Sequence, residues 1–450
     1  MAEHGPTMRL AQRLTGTHYQ ELPPQVVELA KQCIIDFIGV TIAGADEPLV
    51  QLLRTDQAET GGQAQATLIG GGGRVSADQA ALINGSSGHA HDYDDVNSAM
   101  FGHPTIPVAP AAMALAEYLE KSGLDLIQAF AKGVDAECLA GRFIGPSHYG
   151  RGWHATGTLG ALGAAAASAS LYSLSAEATA QAIGIAATQA AGLKSQFGTM
   201  CKPLHAGHAA ATGLVSARLA SRGFTSRTDM LETEQGLAAT QSDAPNPEAF
   251  ARSLSEETFL TGTCFKYHAA CYLTHSSIEA MRELIAQHHL GPEDVRGIEI
   301  TVNQGHFGVC NIQSPSTGLE AKFSLKFTAA MVLAGIDTSS IDVFTDQLTQ
   351  RKDLIDISNR VKVIAWPEPR AETRVVVETA YGALSSEKNV GIPSTDLPGQ
   401  RRKLEAKFHA LVDPRLGAEA ANEILAICDS LENVKSLNRL MQLLGGQMNV

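Results

Sequence analysis

Six titratable side chains crowd into fifteen residues: His89, His91, Asp92, Asp94, Asp95 and His103, within AALINGSSGHAHDYDDVNSAMFGHPTIPVAP (80–110). Small, apolar, helix-favouring residues flank them. Charged groups at that density are costly near a core unless each is paired or working. Adjacent carboxylates raise one another's pKa, and nearby imidazoles can hold them charged. His103 sits in a Gly-His-Pro turn that would fix the backbone and expose the ring, as suits a general acid/base. Two other uses remain open. Asp94 or Asp95 could cap a helix, and His-x-His plus Asp could bind a metal, although no second ligand pair at helical spacing supports that.

Three further stretches carry chemistry. Gly150-Arg151-Gly152-Trp153-His154-Ala155-Thr156-Gly157 precedes an Ala-rich helix. Its N-terminus, with Arg151 and His154, would bind a carboxylate, unless His154 or Thr156 merely caps it. Phe197-Gly-Thr-Met-Cys-Lys202-Pro-Leu-His205-Ala-Gly-His208 places Lys202 and His205 where a second anion site would lie, and His208 reads as structural. Phe265-Lys266-Tyr267-His268-Ala-Ala-Cys271-Tyr-Leu-Thr-His275 falls where the composition changes, and interdomain seams favour ligands. Cys271 reads as a buried thiol, and no nucleophile signature occurs. Carboxylates, imidazoles and lysines without a covalent nucleophile suit proton transfer beside a carboxylate. That means elimination, decarboxylation or epimerisation of a small polyacid.

The elements that must position these groups are mostly helices. Pro24–Gly44, Leu49–Thr60, 77–85, 107–122, 123–145, 157–170, 176–189 and 206–222 have helical spacing, and no convincing strand appears before about residue 260. GTLGALGAAAASAS (157–170) reads as a buried bundle helix, because no strand precedes it as a dinucleotide fingerprint would require. Ile69-Gly-Gly-Gly-Gly-Arg74 reads as a flexible loop. Residues 295–304, 360–366 and 373–381 alternate as strands, with helices expected at 319–334 and 339–349 between them. From 401 to 444 the pattern is helical again.

The chain has 450 residues, 44% hydrophobic and 18% charged, which predicts a globular protein of two domains. The net charge of −13 and the lack of a Lys/Arg cluster argue against nucleic acid. An anionic substrate would need a locally basic site. Seven cysteines without a Cys-x-x-Cys argue for reduced thiols. No secretory h-region and no membrane-spanning run is seen, so the expectation is a soluble, cytoplasmic protein.

Taken in order, PQVVELAKQCIIDFIGVTIAGA, HAHDYDDV, GHPTIPVAPA, WHATGTLGALGAA, GTMCKPLHAGHAA, FKYHAACYLTH and AKFSLKF (321–327) resemble the MmgE/PrpD family. That family includes 2-methylcitrate dehydratase, cis-aconitate decarboxylase and iminodisuccinate epimerase. The resemblance implies a mainly α fold: a large all-helical domain built from both termini (1–264 and 401–450) and a smaller α+β lid domain (265–400). It also implies a homodimer and a lyase needing no metal or organic cofactor, acting on a di- or tricarboxylic acid. An epimerase or a catalytically silent member are the alternatives within the family, and a metal-dependent hydrolase the alternative outside it. The site residues carried over are Asp92, His103, His154, Lys202 and Lys266, with His275 beside them. His103 would move the proton, and Asp92 would orient it or a substrate hydroxyl. Lys202, His154 and Lys266 would hold carboxylates, helped by Arg151, His205 and His91. Val96 stands where decarboxylase-type members carry Thr, and His268 where Pro is common. Gly391-Ile-Pro-Ser-Thr-Asp-Leu-Pro398 follows the family's Gly-x-Pro-x-Asn-Pro segment only loosely.

Overall fold

A computed structural model describes residues 4–16, 20–255 and 258–446. The chain is mainly helical with a smaller α+β part, and it divides into two compact units. The first comprises 1–90, 94–265 and 394–450; the second comprises 91–93 and 266–393.

In the first unit, the helices Ala77–Gly88, Thr105–Tyr118, Ala155–Leu171 and Cys201–Ala220 pack against one another. Their small residues permit the close approach. A Cβ on Gly160 would stand 2.5 Å from Pro107 Cγ, and one on Gly207 would strike the carbonyl of Leu82. Ala155–Leu171 is buried all round except Ser170, so it has no polar face. The C-terminal helix Leu397–Leu416 lies on Pro24–Gly44. Phe408 packs over Gly39, and the buried ion pair Lys407 Nζ–Asp36 Oδ1 (2.6 Å) crosses between them.

The first unit is not purely helical. Ala66–Thr67 pairs with Arg74–Val75 around Gly70–Gly73, all four at positive φ, and Val96–Asn97 pairs with Thr263–Cys264. Two-residue ladders carry no alternation, so the sequence pattern could not announce them. The first is held by Glu117, which accepts from Thr67 N and Oγ1 (both 2.7 Å).

The second unit is built on a four-stranded mixed sheet. Its order is Val361–Ala365, Val295–Val302, Thr373–Thr379, Gly382–Lys388, with only the first pair parallel. Ile298, Ile300, Val302, Val375 and Val377 form its buried face, on which the helix His275–His288 packs. The single helix expected over 319–334 is broken into Gly318–Ala321 and Leu325–Leu333. Ser324 accepts from Phe327 N and starts a new helix, so local capping prevails over the apolar period. The helix expected over 339–349 reduces to a turn at Ile341–Val343 and the short Asp346–Thr349, which Thr345 caps. No helix among the described residues is long and apolar enough to cross a membrane.

Candidate active site

The first unit gathers His89, Asp94, His103, His154, Lys202 and His205 from three sequence stretches. The helix Ala77–Gly88 ends on His89, and the chain then turns through 90–104 before Thr105–Tyr118 begins. In that turn Asp94 lies between two imidazoles. His89 Nδ1 is 2.8 Å from Oδ1 and 2.9 Å from Oδ2, and His103 Nδ1 is 3.0 Å from Oδ2. The rings of His89 and His103 meet edge to face at 4.6 Å. Burial alone would raise the Asp94 carboxyl, but the charges and hydrogen bonds of His103 and His89 outweigh it and hold it well below its ordinary value. Burial drives His89 down to about 4, against the pull of Asp94. His89 is therefore neutral at pH 7 and donates from Nδ1. His103 Nδ1 stands at ion-pair distance from the same carboxylate, so its Nε2 is the ring nitrogen turned away from Asp94.

Asp94, a carboxylate that the sequence did not assign to this ring, lies on His103. The expected exposure of the ring is corrected: it is mostly buried, with 12% of its side-chain surface exposed. The backbone does hold it firmly: His103 N donates to Thr156 Oγ1 (3.1 Å), and Gly102 leaves room for that hydroxyl. Asp95 takes the capping role instead, binding Thr105 N and Oγ1. Its burial, with Asp36 and Asp94 nearby, pushes it up to about 7 despite those bonds.

His154 stands at the start of Ala155–Leu171 but does not cap it through its side chain. Its Nδ1 lies 3.1 Å from Nδ1 of His205, in the first turn of Cys201–Ala220. The His154 ring also stacks at 6.0 Å with His89 and edge to face at 5.0 Å with Phe197. Burial, then the charges of Lys202, His89, His103 and His205, drive His154 well down. Lys202 is buried with Nζ 5.4 Å from the Phe197 ring centre, and its charge depresses His89, His154 and His205. Lys202 is thus the cation among these groups, set among imidazoles whose pKa values burial lowers. His89, Asp94 and His103 also bring three ligand-type groups together. Both Nδ1 atoms, however, face Asp94 at hydrogen-bond distance, the geometry of shared protons rather than of donors converging on an ion.

Arg151 stands apart. Its guanidinium is 46% exposed and paired with Asp243 at the surface.

In the second unit, Lys266 is fully buried. Its Nζ donates to Asp92 Oδ1 (2.8 Å) and to the Asp92 carbonyl (2.6 Å). Asp92 has φ of +53°, a left-handed conformation that Asp tolerates better than most residues and that clusters at functional positions. His91 is buried, and its carbonyl accepts from Lys322 Nζ (2.8 Å). The sequence reading did not single out Lys322; the expected continuous helix hid it, and the break at Ser324 brings it inward. His275 Nε2 lies 3.1 Å from the Ala270 carbonyl, and burial, then His268 and Lys266, push its pKa well down. His268 bridges Glu279 (2.7 Å) and Thr338 Oγ1 (2.8 Å). Cys271 is a buried free thiol.

His148 gives a prediction about stability. It is buried between Thr158 Oγ1 (2.7 Å) and the Gln241 carbonyl (3.3 Å), and burial lowers it to about 4. An unfolded histidine titrates near 6.5. Between pH 6.5 and 4 the unfolded chain therefore binds one more proton, so stability is lost as pH falls through that window, by about 3 kcal/mol for this group. Melting curves from pH 7 to 4 should fall more steeply for wild type than for His148→Gln. Parallel curves would show that His148 titrates normally.

Comparison with known proteins adds the following. The MmgE/PrpD N-terminal domain model matches residues 8–249 and the MmgE/PrpD C-terminal domain model residues 268–433. A cis-aconitate decarboxylase-like protein of Aspergillus oryzae is 27% identical over 480 residues, covering 98% of each chain. Cis-aconitate decarboxylase of Aspergillus terreus is 26% identical, covering 98% of this chain and 96% of its own. Cis-aconitate decarboxylase of Homo sapiens is 25% identical, covering 98% and 94%.

Proposed function

The chain belongs to the MmgE/PrpD family, and from that premise we propose that it is a lyase for a small di- or tricarboxylic acid, with decarboxylation of a cis-aconitate-like acid as its reaction. The observation that carries this reading is Asp94 clamped between His89 and His103, beside Lys202 and His154. In decarboxylation the C–CO₂ bond breaks and its electron pair stays on carbon, delocalised toward a remaining carboxylate. Lys202 and His154 stabilise that developing charge, and His103 gives the carbon a proton from Nε2. One proton enters and CO₂ leaves. Within the second unit, Lys266 balances the charge of Asp92. The relatives named for cis-aconitate decarboxylation favour this reaction over dehydration, in which the same ring would remove a proton as water leaves.

Chelator-treated protein should be incubated separately with cis-aconitate, 2-methylcitrate, citrate and iminodisuccinate and followed by proton NMR. The expected result is consumption of cis-aconitate with release of CO₂. A new alkene from 2-methylcitrate alone would move the reaction to dehydration. Inversion of iminodisuccinate alone would make the protein an epimerase. A folded protein that leaves all four unchanged would overturn the proposal.

A further inference from the structure

The Nδ1 atoms of His154 and His205 face each other at 3.1 Å. Two bare lone pairs would repel there, and two N–H groups would clash, so the pair holds one proton between them. We propose that this proton belongs to His205, which donates Nδ1–H to His154 and thereby fixes His154 as the tautomer that presents Nε2–H. His205 is then a positioning residue that makes His154 an obligate hydrogen-bond donor.

Two observations assign the proton. His154 is 2% exposed whereas His205 is only partly buried, so water stabilises charge on His205 and not on His154. Lys202, His89, His103 and His205 all oppose a positive charge on His154, whereas His205 is opposed by His208 and Lys202. Any extra proton on the pair therefore resides on His205, whose imidazolium Nδ1–H points at His154. Loss of the Nε2 proton from His205 leaves that bond in place.

The backbone is arranged for this contact. Gly192, at φ +139°, lies against the His205 ring and the His154 Cβ; a Cβ there would stand 3.4 Å from His205 Nδ1 and 3.5 Å from His154 Cβ. Its carbonyl accepts from His154 N (3.0 Å). Gly157 opens the opposite side, where a Cβ would lie 3.2 Å from His205 Cβ.

The role given to His154 rests on the carboxylate-binding reading above, but the tautomer does not. Long-range ¹H–¹⁵N spectra of [¹⁵N]histidine-labelled protein at neutral pH read it directly, with assignments from His154→Gln and His205→Gln. Protonated Nε2 on His154 and protonated Nδ1 on His205 are expected. His205→Phe should convert His154 to a mixture of tautomers. His205→Asn, whose amide N–H stands near the lost Nδ1–H, should restore the native signal. Protonated Nδ1 on His154, or a His154 signal indifferent to His205→Phe, would overturn the inference. With citrate as the probe, His205→Phe should weaken binding at least tenfold and His205→Asn less than threefold. If wild type binds no citrate, the carboxylate-binding reading fails while the spectra still decide the tautomer.

Discussion

Replacing His103 with Gln is expected to lower kcat by about 10³-fold, within the range that one general acid/base contributes. The melting temperature should stay within a few degrees of wild type. Gln can still donate to Asp94, and the backbone at 103 is anchored independently by Thr156. What is lost is a group that can carry a proton on Nε2 while Nδ1 stays tied to Asp94. Activity and melting curves on the same preparations check this. A variant with near-native kcat would remove His103 from the proton-transfer role. Asp94→Asn should also be impaired, because an amide cannot accept from both imidazoles with one charge.

Lys266→Met should be the most destabilising change at the candidate site. It leaves the Asp92 carboxylate buried without its cation, a loss of roughly 3–5 kcal/mol. A melting temperature lower by about 10 °C is the expected consequence for a unit of this size. The double variant Lys266→Met, Asp92→Asn should recover much of that loss, because Asn needs no counter-charge and tolerates the left-handed backbone. It should not recover activity. Thermal melts of the three proteins make the comparison. A single variant as stable as wild type would mean that the pair contributes nothing; a double variant no better than the single would mean that lost packing, not lost charge, is the cause.

Much of this was legible in the residues, and the boundary has physical reasons. The long helices declare themselves by apolar spacing, and Ala155–Leu171 by an unbroken run of small residues. The density of His and Asp in 89–103 marked that segment. The partners within it did not show, because the segment is a turn with no period to say which side chains converge. His89 was marked with that cluster but given no role of its own, and Lys322 was passed over as part of an expected helix. Arg151 drew attention by its place beside a helix N-terminus, yet the exposed Asp243 is its partner. Ser324 and Thr345 broke expected helices because their side chains cap locally, a preference that apolar spacing does not register.

The central claim is that His103 gives a proton to substrate carbon. Turnover of cis-aconitate in D₂O, with the product read by proton and deuterium NMR, tests it most directly. The account predicts one solvent deuterium at a single position on the carbon adjacent to a carboxylate, and loss of product formation in His103→Gln. Deuterium scattered over both faces, or the same stereospecific labelling at native rate in the variant, would contradict it.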